Sequence, residues 1–188
     1  MGRKPGQNRQ RMLDSAVALL RERGASSVSI DAVLAHSQTP RGSVYHHFPG
    51  GRDELIISAV RQAGDYITGL IDEASTGGDP VDALEGFAKF WKQSLLRSGY
   101  REGCPIVALA VDHREGMPEA ADLVSEIFDR WRERLYGLLV GNGLTADRAQ
   151  RLATLAVASL EGAIILCRAN RDVAPLDQVI AEIAPLYR

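Results

Sequence analysis

The residues best suited to chemistry in this 188-residue chain lie in one short run, Thr39-Pro40-Arg41-Gly42-Ser43-Val44-Tyr45-His46-His47-Phe48. Val44 and Phe48 are four apart, so on a helix they share a face that can be buried. Thr39, Pro40, Arg41, Gly42, Ser43, Tyr45 and His46 then fall on the remaining faces. Arg41 can donate two parallel hydrogen bonds to guanine O6 and N7, or clamp a phosphate. Thr39 and Ser43 offer hydroxyls to phosphate or base edges, and Tyr45 and His46 can donate to phosphate oxygens. Gly42 has no Cβ to hold the backbone away from a partner, and a helix N-terminus attracts phosphate by itself. His47 is as ready to pack as to make contact. This is the chemistry of reading a DNA duplex. For catalysis the sequence offers no Gly-x-Ser-x-Gly elbow, phosphate-cradling glycine loop, metal-spaced histidine pair or Cys/His pairing. No catalytic residue, metal or cofactor is therefore expected. The alternatives are a protein-binding or architectural helical module, which would show weak salt dependence on DNA and no sequence preference, or an enzyme of unrecognised type.

A reading helix needs other helices beneath it, and the pattern is helical almost throughout. Leu13, Ala16, Val17 and Leu20 mark one face of a helix over 10–23, closed by Gly24. A short second helix is expected after Ser29, with Ile30, Val33 and Leu34 inward. His36-Ser37-Gln38 is the turn. Thr39 then serves as N-cap and Pro40 as first residue of the third helix, where a missing N–H costs nothing. Pro49-Gly50-Gly51 ends it. Further helices are expected over 52–75, from Asp79-Pro80 through Leu95, from Pro105 to about His113, from Met117-Pro118 to Gly141, from Thr145 as cap to about Asn170, and after Pro175. The expectation is an all-α fold of nine helices, with a helix-turn-helix domain at 1–49 and a larger helical domain at 50–188.

Charge divides along the same line. Residues 1–50 carry seven Lys/Arg against Asp14, Glu22 and Asp31, a balance of +4, and the remainder balances to −6. A cationic head on an anionic body suggests that the head meets a polyanion. No stretch approaches the ~20 uninterrupted apolar residues of a membrane span, and the basic N-terminus lacks the apolar region of a signal peptide. Two cysteines, Cys104 and Cys167, are too few for a disulfide framework and fit buried thiols in a reducing cytoplasm.

The run 39–48, followed by an acidic helix start, resembles the recognition helix of the TetR family of transcriptional regulators. Pro49-Gly50-Gly51-Arg52, and Gly103-Cys104-Pro105 far downstream, resemble the branch that includes lincomycin- and flavonoid-responsive repressors. The resemblance is strong over 10–60 and loose over the rest. It implies that Ser29 and Arg52 hold phosphates, that the middle helices enclose a cavity for a small effector, and that the chain works as a homodimer on a near-palindromic operator, most simply as a repressor. One departure is Ser37, where the family usually has glycine. A left-handed backbone there would cost about 1 kcal/mol or more.

For the cavity, Tyr66, Phe87, Phe90, Trp91, Phe128 and Trp131 supply aromatic bulk on three helices, suited to an apolar or aromatic ligand, although any one of them could be ordinary core. Cys104 could stand at the cavity wall or act as a redox switch. Glu161, a carboxylate in an apolar run, can meet a ligand, a dimer mate or a local polar network, and is counted with the ligand-binding candidates. Ala149, Ala153, Ala156, Ser159, Gly162 and Ala163 line the eighth helix with small side chains that permit close helix approach. With Leu176, Val179 and Ile183 on the last helix they make the expected four-helix dimer interface.

Overall fold

The computed structural model describes residues 5–112 and 117–188. Arg3 and Lys4 of the basic head, and His113 at the expected end of the short apolar helix, lie outside the described residues. Among the described residues the chain forms nine α-helices linked by turns and 3-10 segments, with no strand, as an all-α reading requires. They group into two compact units, one built from the N-terminal residues to Asp65 with residues between Pro105 and Val124, the other from Tyr66–Cys104 with Ser125–Arg188.

The first helix, α1 (Pro5–Arg23), buries Met12, Leu13, Ala16, Leu19 and Leu20. It stops at Gly24, whose φ of 83° suits a residue without Cβ. A 3-10 turn (Ala25–Ser27) leads to α2 (Ile30–Ser37), where the Ser29 hydroxyl accepts from the Ala32 amide at 3.1 Å. Val33 and Leu34 are buried and Ile30 half-buried.

At the following turn the structure corrects the sequence reading by one position. Ser37 is the last helical residue, and Gln38 takes the left-handed conformation (φ 52°, ψ 41°). Ser37 is free to be a serine because it bears no left-handed strain. Its buried hydroxyl lies 2.6 Å from the Thr39 hydroxyl. Thr39 is correspondingly not an N-cap. Pro40, extended at ψ 140°, holds that position before a 3-10 turn (Arg41–Ser43) and α3 (Val44–His47). Proline's fixed φ fits either position, so composition alone could not place the boundary.

The fourth helix, α4 (Gly51–Ala74), begins in the first unit and ends in the second. Glu54 reaches back to accept from the Gly50 amide at 2.7 Å, satisfying one of the unpaired donors of its first turn. Exposed Gln10 and Asp14 and half-buried Gln62 tie α1 to α4 through mutual side-chain hydrogen bonds. In α5 (Pro80–Arg97) the Asp79 carboxylate accepts from the Val81 and Asp82 amides at 2.7 and 3.2 Å, with Pro80 in the first turn. Then come α6 (Pro105–Val111) and α7 (Pro118–Gly141).

α8 (Ala146–Asn170) packs on α9 (Ala174–Ile183), which also meets α5. Thr145 stands at the N-cap of α8 in an extended conformation, but its side chain accepts no capping hydrogen bond. By length and composition α8 would suffice to cross a membrane. A helix packed into the core of its own chain passes the same test, and α8 buries Leu152, Leu160 and Ile164.

Candidate nucleic-acid interface and ligand cavity

The outward side chains of the head are held by a small core. Val44 and Phe48 are fully buried, and the Arg9 guanidinium lies 5.3 Å from the centre of the Phe48 ring. With that face consumed, Pro40, Arg41, Gly42, Tyr45 and His46 are exposed, Tyr45 by 61%. His46 and His47 meet edge to face at 5.0 Å between centroids, and His47 is half-buried. Arg41 is held at 2.8 Å by Asp31 of α2, with both side chains in solvent. Such a surface pair contributes little and yields readily to a phosphate. A Cβ on Gly42 would meet nothing within 4 Å, so the backbone there is open to close approach. Ser43 donates to the Pro40 carbonyl at 2.6 Å, tightening the 3-10 turn. Ser29 is exposed, and its hydroxyl proton stays available while its oxygen accepts from Ala32.

Two of the candidate phosphate ligands are occupied inside the head. Thr39 is only 7% exposed and its hydroxyl is engaged by Ser37, so it shapes the turn. Arg52 is half-buried and donates to the carbonyls of Ala25, at 2.7 Å, and Val28. It crosslinks the first turn of α4 to the segment before α2. Sequence could not show this, because the acceptors are backbone groups some twenty-five positions away.

In the second unit, Ile71 of α4, Ala83, Leu84 and Phe87 of α5, Trp131 and Leu135 of α7, and Val157, Leu160 and Glu161 of α8 line a cavity. Its free volume is about 30 Å³, room for about two water molecules at roughly 10–15 Å³ each. Three of the predicted ligand-binding residues are thus brought together: Phe87, Trp131 and Glu161. Trp131 is fixed by donating from Nε1 to Thr68 Oγ1 at 3.0 Å. The other four stand elsewhere. Tyr66 is 60% exposed and meets Phe90 edge to face, Trp91 is buried beside Phe87 and Phe90, Phe128 packs half-buried against Trp131, and Cys104 sits behind Glu161 as its hydrogen-bond donor. Burial pushes the Glu161 carboxyl up from 4.5 to about 7, against the Cys104 hydrogen bond that favours the charged form.

The Gly103-Cys104-Pro105 tripeptide gains a physical account. A Cβ on Gly103 would lie 2.7 Å from Arg168 Nη1, and Arg168 donates to the Arg101 carbonyl at 2.8 Å. Glycine lets the arginine pass, cysteine reaches Glu161, and proline opens α6.

Two family models match the chain: "Bacterial regulatory proteins, tetR family" over residues 12–59, and "Transcriptional regulator LmrA/YxaF-like, C-terminal domain" over residues 80–182. An HTH-type transcriptional regulator of Mycobacterium tuberculosis is 43% identical over 183 residues, 95% of this chain and 93% of that one. The chain belongs to the TetR family. The HTH-type transcriptional regulator LmrA of Bacillus subtilis is 27% identical over 186 residues, 97% of this chain and 98% of that one. In fold, the crystal structure of regulatory protein TetR from Rhodobacter sphaeroides matches with a TM-score of 0.86, at 23% identity, over 94% of this chain and 97% of that one. As a TetR-family member this chain is a DNA-binding transcriptional regulator, and the family and these relatives are not enzymes.

The small-residue face expected at a dimer surface is packed largely within this chain. Ala149, Ala153, Ala156, Ala163, Leu176 and Ile183 are buried within the single chain. The small side chains of α8 serve its close packing with its own neighbours. Ser159, Gly162 and Val179 remain half-buried. What α8 leaves exposed is a different stripe, Leu155, Ala158, Ile165, Leu166 and Ala169, with Ser159 and Gly162 along its edge. The i, i+3, i+4, i+7 spacing of 155, 158, 159 and 162 was the signal that could have found it.

Proposed function

We propose that this TetR-family regulator represses transcription as a homodimer, placing two copies of the 41–47 segment in successive major grooves of a near-palindromic operator, and that a small apolar effector releases it. The observation that carries the reading is the presentation of Arg41, Tyr45 and His46 in solvent on a segment whose other face, Val44 and Phe48, is wholly buried. Arg41 exchanges Asp31 for guanine or phosphate, Ser29, Ser43, Tyr45 and His46 meet phosphates, and Pro40 and Gly42 allow close approach. Thr39 and Arg52 hold this surface in shape from within. Domain organisation follows the same division: residues 1–49 read DNA, and residues 50–188 bind effector and partner.

Dimerisation uses the exposed stripe of α8, since Leu155, Ile165 and Leu166 are 42, 52 and 53% exposed in one chain and form a continuous apolar face. Two-fold pairing of like helices buries such a face against itself. The effector enters among α4, α5, α7 and α8 and enlarges the small cavity. Ile71 at the cavity and Arg52 at the head belong to one helix, so spreading the cavity moves α4 and alters the separation of the two heads. Release requires that the ligand prefer the spread form by the coupling free energy, typically about 1–3 kcal/mol.

The test is nuclease protection on DNA flanking the regulator's own gene. The expected result is two protected half-sites about one helical turn, roughly 34–36 Å, apart. A single protected half-site, or uniform coverage at every sequence, refutes operator reading by a dimer.

A further inference from the structure

The cavity surface is apolar almost throughout, and one lining residue ends in a polar group at its wall. Eight of its nine lining residues are hydrocarbon or aromatic, and the ninth is Glu161. That carboxylate is 9% exposed, and its Oε2 is wholly covered with no hydrogen-bond partner among the described residues. A buried acceptor left unpaired costs about 1–3 kcal/mol, more when charged, so a hydrogen-bond donor that reached Oε2 from the cavity would gain a partner. Among the described residues, nothing cationic lines the cavity. Four basic side chains on the surrounding helices are committed elsewhere: Arg134 pairs with Asp72, Lys92 with Asp177, Arg132 with Asp129 and Arg168 with the Arg101 carbonyl. Phe87 and Trp131, both lining the space, are aromatic residues of the kind whose rings attract a cation.

We propose that the effector is an apolar molecule carrying one protonated amine, and that its ammonium group seats against Glu161 while its hydrocarbon body spreads Ile71, Leu84, Phe87 and Trp131. This rests on the reading of the cavity as the effector site and adds the chemical class of ligand. The carboxylate supplies charge and direction, the rings hold the cation from the sides, and Cys104 fixes the carboxyl group from behind. The upward shift of the empty carboxyl fits, because a seated cation gives the ionised form the partner that burial otherwise denies it.

Isothermal titration calorimetry with 1-naphthylmethylamine and its neutral counterpart 1-naphthalenemethanol, near neutral pH, tests this on the wild type, Glu161→Gln and the cavity-filling Ala83→Phe. The expected result is that the amine binds the wild type at least about tenfold tighter than the alcohol, that Glu161→Gln abolishes this preference while leaving the alcohol nearly unchanged, and that Ala83→Phe blocks both. If amine and alcohol bind the wild type alike and Ala83→Phe blocks both, the amine preference is overturned while the cavity stands. If neither probe binds the wild type, or Ala83→Phe leaves binding intact, the cavity reading falls and the proposal with it. The wild-type comparison alone decides the matter should either variant fail to fold.

Discussion

Glu161 is held between two opposing influences, burial that disfavours its charge and a thiol that favours it. The unfolded chain ionises this group near 4.5, whereas the native state keeps its proton until about 7. Between those values the native state holds a proton that the unfolded state has lost, so its contribution to stability is full below about pH 4.5 and is lost as pH rises through about 7. The whole effect is on the order of 3 kcal/mol. Glu161→Gln cannot ionise. Measured by urea unfolding from mildly acidic to mildly alkaline pH, the variant should gain on the wild type as pH rises, by up to about 3 kcal/mol; a difference flat in pH would contradict the burial. Ser37→Ala is the companion case in the head. It leaves the buried Thr39 hydroxyl without its 2.6 Å partner and should destabilise by about 1–2 kcal/mol in the same measurement. No loss would mean that the hydroxyl pair does not hold the turn.

At the scale of elements, the turn between α2 and α3 carries a left-handed glutamine, Gln38. Gln38→Gly should raise stability by up to about 1 kcal/mol, the relief of that conformation exceeding glycine's added chain entropy. A thermal unfolding midpoint that falls would contradict this. Helix starts and stops were legible because they rest on local chemistry: Gly24, the Ser29 cap and Asp79-Pro80 act within a few residues of themselves. The shift from Ser37 to Gln38 was not legible, since it depends on a hydroxyl pair formed only once Thr39 turns inward. The bonds of Arg52 were not legible for a like reason, as its carbonyl acceptors come from a segment that folding brings to it. The cavity was half legible. Phe87, Trp131 and Glu161 stood out by type, but Ile71, Leu135 and Val157 look like any other apolar helix positions until four helices surround a gap.

At the scale of the whole molecule, a long stripe of small residues has one sequence signature whether it packs on its own chain or on another. In α8 the alanines turn inward, and the larger Leu155, Ile165 and Leu166 are left for a partner. Leu155→Arg/Ile165→Arg should convert the protein to a monomer in sedimentation velocity while preserving helical content, and a dimer undisturbed by two buried charges would place the interface elsewhere. The +4 head and −6 body belong to the same scale, because phosphate contacts make affinity fall steeply with salt. The most direct measurement is fluorescence anisotropy on operator DNA for wild type and Arg41→Ala/Tyr45→Ala at low and physiological salt. Tight wild-type binding that resists competitor DNA and falls by about a hundredfold or more in the double variant is the predicted result. Equal binding by both proteins would contradict the assignment of the exposed face of 41–47 as the surface that reads DNA.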